Sequence, residues 1–105
     1  MKKVKVSFRP LAEADLLGLY RYITEEAGHE VAGTYIDRIE QACRTLEISP
    51  KRGTRRDDIR PGIRTLGFER RATIVFQVKR TEVVIVRVFH GGQDFERALR
   101  HMADE

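Results

Sequence analysis

The chain has 105 residues, a net charge of +4 and 34% charged residues. That length supports one domain around one modest core, and the composition excludes disordered, collagen-like and disulfide-stapled classes. The longest near-continuous apolar run, Val83 to Phe89, is broken by Arg87 and falls far short of the roughly 20 residues of a membrane span. The chain opens with Met1-Lys2-Lys3-Val4, like a secretory segment, but Arg9, Glu13 and Asp15 arrive before an apolar stretch can form. A cytoplasmic chain with no membrane partner is therefore expected. Cys43 is the single cysteine. It can form no internal disulfide and no cysteine-based metal site, and its place in an apolar helical stripe marks it for the core.

Lys3 to Phe8 alternates, with Val4, Val6 and Phe8 on one side, and predicts a half-buried strand. Pro10 ends it and suits the first turn of a helix over Leu11 to Ala27. Ala12, Leu16, Leu19, Ile23 and Ala27 form that helix's apolar stripe, widened by Leu17 and Tyr20. Gly28 is placed as its left-handed C-cap. A second helix runs from Glu30 to Ser49, with Ala32, Ile36, Ile39, Cys43 and Leu46 at four-three spacing, until Ser49-Pro50 stops it. Two amphipathic helices joined so tightly pack as an antiparallel hairpin. Lys51 to Pro61 reads as a loop, and Ile63 to Leu66 as a short strand. Arg70 to Lys79 and Glu82 to Phe89 read as two long strands joined at Arg80-Thr81. In the last strand Val84, Val86 and Val88 are expected to oppose Val83, Ile85, Arg87 and Phe89. A short C-terminal helix spans Phe95 to Met102, with Asp94 as its N-cap. The order β-α-α-β-β-β defines an α+β domain, a helical hairpin covering a mainly antiparallel sheet.

Charge is unevenly spread. Between Lys51 and Arg71 stand eight cationic residues against three acidic ones. Such a segment attracts nucleic acid or an acidic protein. Catalytic patterns are lacking: there is no Walker loop, no Gly-x-Ser-x-Gly and no His-Glu-x-x-His. His29, His90 and His101 are far apart in sequence, so no metal or other cofactor is expected. The carboxylate pairs Glu25-Glu26 and Asp57-Asp58 read as solvated surface.

One segment concentrates unusual residues: Arg87-Val88-Phe89-His90-Gly91-Gly92-Gln93-Asp94. A strand carries an arginine among valines, ends in His-Gly-Gly and meets a polar pair. On the residues alone, Arg87 reads as paired with a carboxylate. The segment also resembles the C-terminal signature of the ParE family. Arg60-Pro61-Gly62-Ile63-Arg64, the strand opening at Arg70-Arg71, and Phe8-Arg9-Pro10-Leu11-Ala12 with Asp15-Leu16 and Tyr22-Ile23 are similar to further parts of that family, in the same order. The resemblance, on the ParE side of the ParE/RelE toxin superfamily, spans nearly the whole chain.

It implies the α+β fold already read. It also implies a toxin of a type II toxin–antitoxin system, bound by a cognate antitoxin whose C-terminal segment wraps the hairpin and sheet. ParE-like toxins bind DNA gyrase and trap it on cleaved DNA, with no small-molecule substrate. RelE-like toxins cut mRNA on the ribosome, and in that alternative Arg64, Arg87 and His90 would be the catalytic residues. A small basic nucleic-acid-binding module is a third reading. The surface residues expected to contact target or antitoxin are Arg55, Arg56, Arg60, Arg64, Arg71, Arg87, His90 and Asp94. Truncation after Phe89 is expected to remove toxicity while sparing antitoxin binding.

Overall fold

The computed structural model describes residues 4–102. Its elements are β1 (Lys5–Phe8), α1 (Pro10–Ala27), α2 (His29–Arg44), a 3-10 turn (Thr45–Glu47), β2 (Thr54–Arg55), β3 (Ile63–Phe68), β4 (Ala72–Val78), β5 (Glu82–His90) and α3 (Phe95–Arg100). The five strands form one sheet in the order β1-β5-β4-β3-β2. β2 to β5 pair antiparallel, whereas β1 returns beside β5 in parallel, with Lys5 opposite Glu82 and Phe8 opposite Ile85. The hairpin of α1 and α2 is the crossover that a parallel pair requires.

The sheet is covered on both faces. On the front, Ala12, Leu19, Tyr35, Ile39, Cys43 and Leu46 from the helical side pack on Val6, Ala72, Ile74, Phe76, Val83, Ile85 and Val88. On the rear, a smaller cluster of Ile59, Ile63, Val75, Val84, Val86 and Phe89 lies under Leu99, Phe95, Ala98 and Met102. Cys43 is fully buried, and that burial pushes its thiol up to about 12, so it is inert core. Leu17 stays half exposed rather than joining the core stripe.

The faces of β5 differ from simple alternation. Val75 lies opposite Arg87 but Phe76 lies opposite Ile85, which leaves Val86 as an extra residue. This β-bulge changes the phase. Val83, Ile85 and Val88 face the hairpin, and Val84, Val86 and Phe89 face α3. The expected grouping of Val88 with Val84 and Val86 is thereby corrected, as is that of Phe89 with Ile85.

Other boundaries shift for local reasons. Lys3 lies outside the described residues. α2 ends at Arg44 rather than Ser49, because Thr45 turns its hydroxyl onto the Ala42 carbonyl (2.6 Å) and the chain tightens into a 3-10 turn. The loop expected over Lys51 to Pro61 contains β2, paired with β3 through Thr54–Thr65 and Arg55–Arg64. Gly53 makes this pairing possible: at φ 79°, a Cβ there would sit 2.3 Å from the Thr65 carbonyl oxygen. Gly28 has the expected positive φ (95°), but its ψ of 161° is extended, not left-handed helical. That region is almost exclusive to glycine. It lets one residue accept the Ala32 N–H while donating to Thr24, so Gly28 serves both helices.

Asp94 caps α3, accepting the Arg97 N–H at 3.1 Å. Since Leu99 is fully buried in the rear cluster, truncation after Phe89 would uncover apolar core and cannot isolate a surface role.

Candidate functional site: a groove between the hairpin and the sheet end

Where α1 meets α2, the hairpin rises away from the sheet end that carries the β3–β4 turn and the last residue of β5. The resulting open groove, about 880 Å³, is lined by Leu19, Tyr22, Ile23, Ala27, Val31 and Tyr35, with Glu26, Glu30, Arg38, Glu69, Arg71 and His90 around it. Tyr22 and Val31 are both more than half exposed. Large apolar side chains left open within a polar rim mark an interaction surface.

The sheet-side rim is built by a tight hairpin. Arg71 donates its N–H to Phe68 (3.0 Å), and the two residues between, Glu69 and Arg70, both have positive φ (50° and 60°). Such a turn matches the twist of a two-stranded ribbon but ordinarily takes Asn-Gly. Here side chains occupy the strained positions, and Glu69 uses its own to accept both Nε and Nη2 of Arg38, each at 2.9 Å. The bond from Arg38 holds the Glu69 carboxyl below the usual glutamate range. Arg38 also lies 5.4 Å from the ring centre of Tyr35, which meets Phe68 edge-on at 5.6 Å. Burial pushes the Tyr35 phenol up.

The far wall is His90. Its N–H is accepted by Gln93 Oε1 at 2.7 Å, and its ring rests 5.7 Å from that of Tyr22. Gly91 donates to the Arg71 carbonyl, so the N–H groups of Val88 and His90 point away from β4, toward an edge that β1 no longer covers. Asp15 closes that edge. Its carboxylate accepts Nε (2.7 Å) and Nη2 (2.9 Å) of Arg87 and the Val88 N–H (2.8 Å). The Arg87 guanidinium also lies 4.7 Å from the Phe89 ring centre.

The eight predicted contact residues therefore separate. Arg71 and His90 share the groove. Arg55 and Arg64 face each other on β2 and β3. Arg56 pairs with Asp58 and Glu96, while Arg60 donates to the Met102 carbonyl at 2.7 Å; with Asp94 they fasten α3. Arg87 is an internal tie. Sequence reasoning missed Arg38, Glu69 and Tyr35 as groove residues. Arg38 sits off the apolar stripe like any solvated helix charge, and its partner lies 31 residues away. Among the described residues, no cluster of three His, Cys, Asp or Glu could hold a metal ion, and no helix is long and apolar enough to cross a membrane.

A parallel β1–β5 pair bridged by a helical hairpin, with a meander ending at an apolar groove, defines the class of ParE/RelE toxin folds. Two solved structures share it. One is described as the chromosomal ParDE TA system from P. aeruginosa (TM-score 0.74, 27% identity, 84% of this chain and 96% of that one). The other is described as the toxin-antitoxin complex RelBE2 from Mycobacterium tuberculosis (TM-score 0.62, 89% and 97% covered), which at 21% identity speaks to fold alone. Toxin ParE3 of Caulobacter vibrioides is 32% identical over 91 residues, covering 87% of this chain and 89% of that toxin. Residues 6–95 match the family described as ParE toxin of type II toxin-antitoxin system, parDE. The chain belongs to the ParE toxin family.

Proposed function

We propose that this toxin acts in the cytoplasm by binding DNA gyrase, and that a cognate antitoxin neutralises it by laying an amphipathic segment into the groove. The observation that carries a binding role is the scattering of the groups that RNA cleavage would need. Cleavage through a 2′-hydroxyl requires a base, an acid and a cation around one phosphate. Arg64 lies opposite Phe76 and His90 opposite Ala72, which separates them by ~13 Å along the sheet and ~10 Å across it. Arg87 is bound on two nitrogens by Asp15. The three do not form one catalytic set.

The groove favours an antitoxin segment that is apolar on one side. Val31, Tyr22 and Ile23 offer anchor positions, and Arg71 at the sheet end suits an acidic flank. Val31→Asp should weaken antitoxin capture at least tenfold without unfolding the chain, since it buries a charge against the incoming apolar face. Unchanged affinity would remove the groove from the antitoxin site. Trapping of cleaved DNA by gyrase, with mRNA cleavage on translating ribosomes as the counter-assay, tests the target.

A further inference from the structure

A second surface lies at the opposite end of the sheet from His90. Arg56 donates its N–H to the Ile63 carbonyl (2.8 Å), so the next pair, Arg55 and Arg64, stands in the close, non-hydrogen-bonded position. Their α-carbons are then about 4.5 Å apart with both side chains on one face. Like charges directly opposite each other across two strands are destabilising, yet Gly53 is required to bring these strands together. With Lys51, the two arginines line a shallow depression of about 330 Å³ completed by Gly62, Ile63 and Val78. Among the described residues, Asp57 is the carboxylate that bonds to this group. Asp57 accepts Arg55 Nη2 (2.7 Å) and the Gly62 N–H (2.8 Å), and those bonds hold it below the usual aspartate range. Asp57 reaches Arg55 directly, while toward Arg64 it acts only through its field.

We infer that Lys51, Arg55 and Arg64 form a cradle for the phosphodiester backbone of a nucleic acid. Two guanidinium forks and an ammonium line one depression, and a phosphate presents oxygens in enough directions to meet all three. A planar carboxylate is already present and, of the three cations, bonds Arg55 alone. A peptide would also need apolar anchor pockets, but Val78 and the edge of buried Ile63 are the only apolar lining here. Backbone phosphate makes no such demand, since its affinity comes from released counterions. The cradle lies away from the groove, so the antitoxin segment proposed above would leave it open.

The test is fluorescence anisotropy of the full chain with a short labelled duplex DNA, and with RNA of the same length, across a salt series and without gyrase or ribosomes. The logarithm of the binding constant should fall linearly with log salt, with a slope of about 0.9 per phosphate contact on duplex DNA. Arg55→Gln with Arg64→Gln should flatten that slope by about 2 and weaken binding alike for every sequence. Arg97→Gln with Arg100→Gln, on α3, should leave the slope unchanged. If the double variant fails to fold by circular dichroism, Lys51→Gln should still flatten the slope by about 1. A steeper response to DNA or to RNA identifies which backbone is preferred, and either supports the cradle. No binding at low salt would overturn it. So would an unchanged slope in the folded variants, or loss of affinity for a poly-glutamate peptide with nucleic-acid binding intact.

Discussion

Asp15 and Arg87, 72 residues apart, form a bidentate ion pair whose carboxylate also accepts the Val88 N–H. One side chain of α1 thus neutralises a strand arginine and closes the β5 edge beyond the end of β1. The two side chains are only 15% and 20% exposed, so the pair is poorly screened. Asp15→Ala would remove the carboxylate from a largely buried cation and from a backbone donor. It should cost about 2–3 kcal/mol in urea unfolding, and lower the thermal midpoint by on the order of 10 °C. Asp15→Asn, which keeps an acceptor for Val88, should lose less. Equal losses would mean that the ion pair contributes nothing beyond the edge hydrogen bond.

The β3–β4 turn carries strain that glycine would relieve. Arg70 has φ 60°, whereas the side chain of Glu69, its neighbour in the turn, is held by Arg38. Arg70→Gly should therefore raise stability by up to about 1 kcal/mol, measured by the same unfolding curve. A destabilised variant would show that the Arg70 side chain contributes more than its backbone costs.

The Arg38–Glu69 bridge makes the groove rim sensitive to acid. Folding depresses the Glu69 carboxyl from its ordinary value of 4.5. Its contribution is complete above that value and is lost as pH falls through the lower folded value. Glu69→Gln should leave melting near neutral pH little changed, because the bridge is exposed, but reduce the loss of stability on acidification. An identical acid limb in the variant would contradict the assignment.

Arg60 and Arg64 separate cleanly in the structure although sequence grouped them. Arg60 holds the carbonyl of Met102 behind α3, so Arg60→Ala should lower the melting temperature. Arg64→Ala, on a strand surface, should shift stability by no more than about 0.5 kcal/mol while weakening whatever the basic end binds. Comparable melting of the two single variants would deny Arg60 its structural role.

Periodicity made the fold legible wherever an element was long enough to show it. Val4-Val6-Phe8, the Ala32-to-Leu46 stripe and the alternation from Ala72 to Val78 all lie where their spacing predicts. Local chemistry marked Asp94 as a cap and Cys43 as core. The two-residue β2 is too short to carry a period, and the bulge at Val86 leaves an apolar run apolar while exchanging its faces. The site was less legible. Arg71 and His90 stood out, but nothing along the chain joins Arg38 to Glu69 or Tyr22 to His90. An arginine-rich segment looked like one patch because sequence gives its charge and not its direction. Folding sends Arg56 and Arg60 to α3 and Arg55 and Arg64 to a sheet edge.

The most direct measurement is a supercoiling reaction with purified gyrase and this chain, scored for cleaved DNA held on the enzyme, beside mRNA integrity on translating ribosomes. Accumulated double-strand breaks, intact mRNA and relief of both trapping and growth arrest by the antitoxin are the expected result. Cut mRNA with gyrase unaffected would contradict it, and would require Arg64, Arg87 or His90 to act in an arrangement different from the one described.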